Sequence, residues 1–136
     1  MTADIASSLI WVWRTLSHTF CGTPDYLAPE VIRGTGYNWG VDYWGLGVLL
    51  YELFTGKAPF HSYYTTGTGK KILNGVVKFP EKMTGPMKDL IKALLTKDQM
   101  RRLGVLKGGT EDVMKHRFYT GFDMGRTVEY AKTCPI

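Results

Sequence analysis

A strongly apolar stretch in the middle of the chain predicts a helix from about Trp39 to Thr55. Asn38 is a favourable N-cap residue, and Gly56 followed by Pro59 gives the usual order of signals at the end of a helix. The hydrophobic residues occupy every side of this helix: Val41, Trp44, Leu46, Val48, Leu49, Leu50, Leu53 and Phe54. Because a helix that is apolar all round must be covered by other elements, the pattern predicts a central core helix.

The chain after Pro86 has the spacing of an amphipathic surface helix. Its apolar residues recur at helical intervals, and they are Met87, Leu90, Ile91, Leu94 and Leu95. Charged residues occupy the other side, and they are Lys88, Asp89, Lys92 and Lys97. One face of this helix is therefore expected to pack on the core while the other meets water.

Three shorter stretches complete the predicted architecture. Thr110 to Lys115 is expected to form a short helix with Thr110 as its N-cap, because the two acidic residues that follow suit the helix dipole. His61 to Gly69 is rich in Tyr, Thr and Gly and is interpreted as a loop. Val76 to Phe79 is the one candidate strand, and it is short. The predicted fold class is therefore mainly α.

Composition indicates a globular protein. With 136 residues, 44% of them hydrophobic and 21% charged, the chain suits one domain and excludes a disordered polymer. Its longest early apolar run, residues 9–13, is far too short for a membrane span, so no membrane partner is expected. Cys21 and Cys134 lie too far apart for a local disulfide or metal half-site. These features predict a reduced compartment and a cytoplasmic location.

The net charge of +5 raises the question of nucleic-acid binding. Most of the basic residues are spread between positions 57 and 132, and the densest clusters are pairs such as Arg101 and Arg102. The aromatic residues group with aliphatic ones rather than with lysine and arginine, which is typical of packing and not of base stacking. We therefore expect no nucleic-acid partner.

The most informative stretch is Thr19 to Glu30, which reads Thr-Phe-Cys-Gly-Thr-Pro-Asp-Tyr-Leu-Ala-Pro-Glu. It closely resembles the activation segment of Ser/Thr protein kinases, which ends in Ala-Pro-Glu. Val41 to Glu52 is similar to the central helix of the kinase large lobe, and Arg101 to Gly104 is similar to the arginine site near the end of that lobe. The spacing from there to Phe122 resembles the AGC group and, within it, the cyclic-nucleotide-dependent kinases.

The resemblance implies a partial kinase fold, the helical C-terminal lobe from the activation segment onward. Residues 18–122 would form this partial catalytic domain. Residues 1–17 depart from the family and are interpreted as an unmatched leader, and residues 123–136 resemble the start of the AGC C-terminal tail. Because the helix at 39–55 expects neighbours that the sequence does not encode, marginal stability or self-association is expected.

By the same resemblance, Thr19 would be the regulatory phosphosite, where a phosphate adds nearly two negative charges. Thr23 and Pro24 would form a rigid turn beside the catalytic aspartate of an intact kinase. Phe20, Pro24 and Leu27 would line a pocket for the residue after the phosphoacceptor. Read without the resemblance, Thr19 is a plain loop threonine and the others are a hydrophobic loop packed on a core.

Two acidic residues would recognise basic substrates. The resemblance places Asp25 and Glu52 opposite basic side chains upstream of the phosphoacceptor. Glu52 is the stronger candidate, because a carboxylate at the end of so apolar a helix is costly unless a cation meets it. Partners would be protein or peptide substrates with basic residues, together with a regulatory subunit or domain.

Three further residues are assigned structural roles by the resemblance. Glu30 and Arg102 would form the buried ion pair that ties the activation segment to the lobe. Asp42 would be a buried carboxylate that, in the family, accepts backbone N–H bonds from the catalytic loop. That loop has no counterpart in this sequence, so Asp42 would lack those partners.

The residues that perform kinase catalysis are not found in the sequence. These are a Gly-rich loop, a strand lysine, a helix glutamate, the His-Arg-Asp loop and the Asp-Phe-Gly metal ligand. No catalytic, cofactor-binding or metal-binding residue is therefore assigned, and ATP and Mg²⁺ are expected for the intact parent only. The sequence favours an inactive fragment of a Ser/Thr kinase whose parent phosphorylates Ser or Thr in basic contexts. The alternative is a non-catalytic peptide-binding or regulatory module derived from a kinase lobe.

Overall fold

The structure is a computed structural model that describes residues 24–123. Its five α-helices are α1 (Pro29–Arg33), α2 (Gly40–Thr55), α3 (Thr65–Asn74), α4 (Gly85–Leu94) and α5 (Thr110–Met114). Single 3₁₀ turns occur at Pro24–Tyr26, Gln99–Arg101 and Arg117–Tyr119. No strand is present within residues 24–123. The predicted mainly helical class is therefore confirmed.

Helix α2 is the centre of the packing and begins and ends close to the predicted bounds. The Gly40 N–H donates to Asn38 Oδ1 at 2.7 Å, and the Gly56 N–H donates to the Glu52 carbonyl at 2.7 Å. Trp44 and Val48 are fully buried on one face of the helix. Leu49, Leu53 and Phe54 are exposed on the other side, so the expectation that α2 is covered all round is wrong for the described residues.

The α2 and α4 helices approach each other closely at Gly47. A Cβ atom built there would lie 2.9 Å from atoms of both Leu94 and Leu95, so only a glycine fits at this contact. Leu90, Ile91 and Leu94 of α4 are fully buried, as its amphipathic spacing predicts. The same spacing accounts for the length of this helix, which ends at Leu94.

The core lies between α2, α3 and α4. The Trp44 and Phe60 rings stack with centroids 5.5 Å apart and planes 7° from parallel. Ile72, Met83 and Ile91 close the cluster around them. Phe79, from the stretch considered as a strand, packs edge-on against Tyr51 at 6.0 Å without forming a strand. The core therefore fixes α2 relative to the segments on both sides of it.

Two local predictions need correction. The expected loop at 61–69 is interrupted by α3, which begins at Thr65 because the buried side chains Thr68 and Ile72 anchor a weakly helical sequence to the core. Thr110 is the first residue of α5 and not its cap. Its hydroxyl lies 2.8 Å from the Tyr43 hydroxyl, while Asp112 reaches back to accept from the Gly108 N–H at 3.0 Å.

Among residues 24–123, none of the helices combines the length and apolarity needed to cross a membrane. Over the same part of the chain, no three His, Cys, Asp or Glu side chains come together as a metal site would need.

Candidate functional site

The first feature of the site is a buried ion pair between Glu30 and Arg102. Arg102 Nη1 donates to Glu30 Oε1 at 2.7 Å, and Nη2 donates to Oε2 at 3.0 Å. Arg102 also donates to the carbonyls of Gly40 at 2.8 Å and Thr96 at 3.0 Å, and its guanidinium lies 5.0 Å from the Trp44 ring. The pair is thus desolvated but fully hydrogen-bonded, the arrangement in which a buried pair is tolerated.

This pair fixes the segment that precedes it in the chain. Glu30 lies in the first turn of α1, behind Pro29, whose ring favours that position because the first helical N–H needs no partner. Ala28 is buried in front of it, and its carbonyl accepts the N–H groups of Val31 and Ile32 at 3.1 and 3.2 Å. The 3₁₀ turn at Pro24–Tyr26 is therefore held close to α2, a few residues from a buried anchor.

Within that turn, Tyr26 contacts Glu52 in the last turns of α2. The Tyr26 hydroxyl donates to Glu52 Oε2, and no cation pairs with Glu52 among residues 24–123. This hydrogen bond, followed by partial burial and by the negative charges of Glu52 and Asp25, raises the pKa of Tyr26 to about 12. The half-buried carboxylate that the sequence marked as needing a cation is therefore oriented by a neutral phenol.

Asp25 has different surroundings from those predicted. Its side chain is only 8% exposed, and Oδ2 lies 3.1 Å from Nδ1 of His61, whose side chain is 51% exposed. Its other oxygen, Oδ1, is buried and has no partner among residues 24–123. The sequence predicts that Asp25 faces substrate, but in the structure its carboxylate is almost fully buried and contacts a histidine.

Asp42 also departs from its predicted environment. It was expected to be a buried carboxylate, but it is exposed in the first turn of α2. A negative charge there is favoured by the N-terminal end of the helix dipole and by hydration, so burial is not needed. Asp42 lines an open depression of about 520 Å³ together with Trp39, Tyr43 and Thr110.

The remaining predicted residues are only partly described. Thr19, Phe20 and Thr23 lie outside the described residues. Pro24 begins the 3₁₀ turn, and Leu27, which is half-buried, follows it. The pocket that these residues were expected to line is therefore still a prediction.

The comparison with known families decides the class of the protein. A model of the protein kinase domain matches residues 4–119 of the chain. The chain belongs to the protein kinase family. This matched range begins at residue 4, and the predicted division of the chain at residues 17 and 122 stays a prediction.

Curated relatives place this kinase chain among the AGC group. It is 42% identical to a cAMP-dependent protein kinase, catalytic subunit-like, of Caenorhabditis elegans, over 90% of this chain and 31% of the relative. It is 46% identical to the cAMP-dependent protein kinase catalytic subunit PRKX of Mus musculus, over 77% and 30%. It is 48% identical to the cGMP-dependent protein kinase 2 of Homo sapiens, over 77% and 14%. The chain thus spans less than a third of the length of these relatives.

Sequence reasoning missed His61 as a member of the site. Asp25 and His61 are 36 positions apart, and a single acid and a single histidine at that separation match no motif spacing. Tyr26 was visible in the activation-segment motif, but its link to Glu52 follows only from the packing of the turn on α2. Both contacts are tertiary, and no periodicity in the sequence encodes them.

Proposed function

We propose that this chain supplies the substrate-recognition side of a Ser/Thr protein kinase that phosphorylates Ser or Thr in basic peptide contexts. The whole kinase would transfer the γ-phosphoryl group of ATP with the help of Mg²⁺, in the cytoplasm and under a regulatory subunit or domain. Its family and its similarity to cAMP- and cGMP-dependent kinases support this assignment.

The proposal rests on the burial and the hydrogen-bond partner of Glu52. Its carboxylate is half-buried at the end of an apolar helix, is held by the Tyr26 hydroxyl and has no cationic partner among residues 24–123. A guanidinium that reaches it would gain charge-assisted hydrogen bonds, which are about twice as strong as neutral ones. Glu52 is therefore the proposed acceptor for an arginine of the substrate.

The same proposal assigns a role to each of the other predicted residues. Phe20, Thr23, Pro24 and Leu27 would hold the residue after the phosphoacceptor, and Thr19 would be the phosphosite that organises the activation segment. Glu30 and Arg102 would anchor that segment without touching substrate. Asp42 would serve a structural contact in a complete kinase lobe.

We further propose that the 136-residue chain binds peptides but does not transfer phosphate, because it contains none of the family's ATP-binding or catalytic-loop motifs. The test incubates the purified chain with Mg-ATP and a serine peptide and measures incorporated phosphate. Turnover that depends on Mg²⁺ would contradict this part of the proposal.

Peptide recognition itself is tested by binding. A fluorescent serine peptide with two upstream arginines is titrated with the wild-type chain, with Glu52→Gln and with Glu81→Gln. Glu81 is an exposed carboxylate in the turn before α4 and serves as the matched control. We expect Glu52→Gln to weaken binding about ten-fold, as for loss of a charge-assisted bond, and Glu81→Gln to leave it unchanged. Equal binding by all three chains would contradict the role of Glu52.

A binding result without phosphate transfer is also what the alternative, a non-catalytic module derived from a kinase lobe, predicts. Both are tested by adding the chain to an active kinase with the same peptide preference. A chain that binds the peptide sequesters it and slows its phosphorylation at chain concentrations near the Kd. No inhibition at that concentration would contradict peptide binding by the 136-residue chain under either interpretation.

A further inference from the structure

The two acidic residues of the proposed peptide surface, Glu52 and Asp25, differ in their surroundings. Only Asp25 contacts His61. Glu52 is half-buried beside Tyr26, whereas the side chain of Asp25 is only 8% exposed and its Oδ2 lies 3.1 Å from His61 Nδ1. Oδ1 of Asp25 is buried and without a partner among residues 24–123. The imidazole therefore contacts the one Asp25 oxygen that has a partner among these residues.

The chemistry of the contact between Asp25 and His61 determines which atom donates the hydrogen bond. An ionised carboxylate can only accept hydrogen bonds, so His61 Nδ1 must be the donor. The second ring nitrogen, Nε2, then belongs to the half of the side chain that is open to water, since the side chain is 51% exposed. When the ring gains a proton, Nδ1 keeps its bond to Asp25 and the new charge appears on a group at the surface.

We propose that His61 is a specificity-determining residue of the peptide surface, which covers Asp25 and sets the local charge that an incoming arginine meets. The proposal rests on the peptide-binding function argued above. With a neutral ring, the pair of Asp25 and His61 carries one net negative charge and supports binding of a basic peptide. With a protonated ring, the pair is neutral overall, and its outer end repels a guanidinium bound at Glu52.

Within residues 24–123, the elements packed around this pair contribute the following charged or titratable groups. From the 3₁₀ turn come Asp25 and the Tyr26 hydroxyl, and from α2 comes Glu52. From α3, the Lys71 ammonium donates to the His61 carbonyl at 2.6 Å. Helix α1 contributes Glu30, which is already paired with Arg102, and the exposed Arg33. A histidine changes its charge between about pH 5 and 8, whereas lysine, arginine and most carboxylates keep theirs.

The test measures peptide affinity at pH 8.0 and pH 5.5 for the 136-residue chain. The probe is a fluorescent serine peptide with two arginines, blocked ends and no histidine, so that the peptide itself does not titrate. We expect wild-type affinity to fall about five-fold at pH 5.5, the size of a surface charge interaction, and His61→Gln to change less than two-fold. His116→Gln serves as the control and should behave like the wild type.

Three outcomes have distinct meanings. Retention of the full pH dependence by His61→Gln, or its absence from the wild type, would overturn the role of His61 while leaving the proposed function intact. Absence of peptide binding at both pH values would overturn the proposed function and this role with it.

A ¹⁵N NMR measurement of the His61 ring supplies an independent readout: we expect the Nδ1–H tautomer at pH 8.0 in the wild type and its loss in Asp25→Ala. An Nε2–H tautomer in the wild type would overturn the contact on which the role depends.

Discussion

Arg102 and Glu30 form a two-pronged ion pair inside the protein, with donor–acceptor distances of 2.7 and 3.0 Å across 72 positions of sequence. Both side chains are almost completely buried, so neither charge is compensated by water. The pair joins α1 to the loop after α4 and, through the Gly40 carbonyl, to the start of α2. Together with the contacts of Tyr26 with Glu52 and of Asp25 with His61, it holds the turn at Pro24–Tyr26 against the helices.

Removing the guanidinium should destabilise the fold strongly. We expect Arg102→Met to lower the free energy of unfolding by about 3 to 5 kcal/mol, because Glu30 is then a buried charge without a partner. Adding Glu30→Leu should restore part of the lost stability, because it removes the unpaired buried charge. The recovery should be incomplete, because the carbonyls of Gly40 and Thr96 still lack a donor. Chemical denaturation followed by circular dichroism measures both changes. The exposed Arg101→Met is the control, expected within about 0.5 kcal/mol, and a similar small effect of Arg102→Met would contradict the account.

The packing of α2 on α4 can be tested with two glycines of the same helix. Gly47→Ala should cost about 1 to 3 kcal/mol, because its Cβ would lie 2.9 Å from Leu94 and Leu95. Gly45→Ala should be neutral or stabilising by about 0.5 to 1 kcal/mol, because nothing lies within 4 Å of its Cβ and alanine favours the helix. Thermal unfolding compares the two variants. A loss in Gly45→Ala as large as that in Gly47→Ala would show that the helices do not meet as described.

Tyr26 provides a spectroscopic test of the contact with Glu52. Phenolate absorbance should show a component that ionises near pH 12, and Tyr26→Phe should remove it. Because the pKa of Tyr26 in the folded state is raised above 10.0, its contribution to stability is present below pH 10 and is lost as pH rises through 12. Glu52→Gln should move this ionisation back toward pH 10. An unchanged titration in Glu52→Gln would contradict the hydrogen bond.

The exposed apolar side of α2 should make the chain self-associate. Leu49, Leu53 and Phe54 are all exposed, and Leu53 is the most exposed at 73%. Sedimentation velocity is expected to show association that rises with concentration and that Leu53→Lys reduces. The control Val76→Lys changes another exposed apolar residue away from this helix. A monomeric chain with a sharp, cooperative melt would contradict this expectation.

The sequence predicted the parts of the fold that depend on periodicity and on local signals. Helix α4 follows from the spacing of its apolar residues, and α2 follows from its long apolar stretch. Gly56 ends α2 as predicted, whereas the residue before its first turn is Trp39 and not Asn38, whose side chain accepts from the Gly40 N–H. Helix α3 was missed because Gly67 and Gly69 lower local helix propensity, whereas the burial of Thr68 and Ile72 overrides it. Tertiary packing therefore determines that α3 is a helix, although its local sequence favours a loop.

The site was predictable to the extent that a motif carries it. Glu30, Glu52 and Arg102 were chosen from motifs that resemble the family. The burial of Asp25 behind His61 and the exposure of Asp42 depend on which surfaces meet, and neither residue type nor spacing determines that. Single charged residues therefore need the structure before a role can be assigned to them.

The most direct test of the account is the coupling between Glu52 and an arginine of the bound peptide. A double-mutant cycle compares the wild-type chain and Glu52→Gln, each with the arginine peptide and with a peptide that carries neutral, isosteric citrulline in its place. The account predicts that citrulline weakens binding to the wild type about ten-fold and has almost no further effect on Glu52→Gln. Equal losses on citrulline substitution with both chains would contradict the claim that Glu52 receives the arginine.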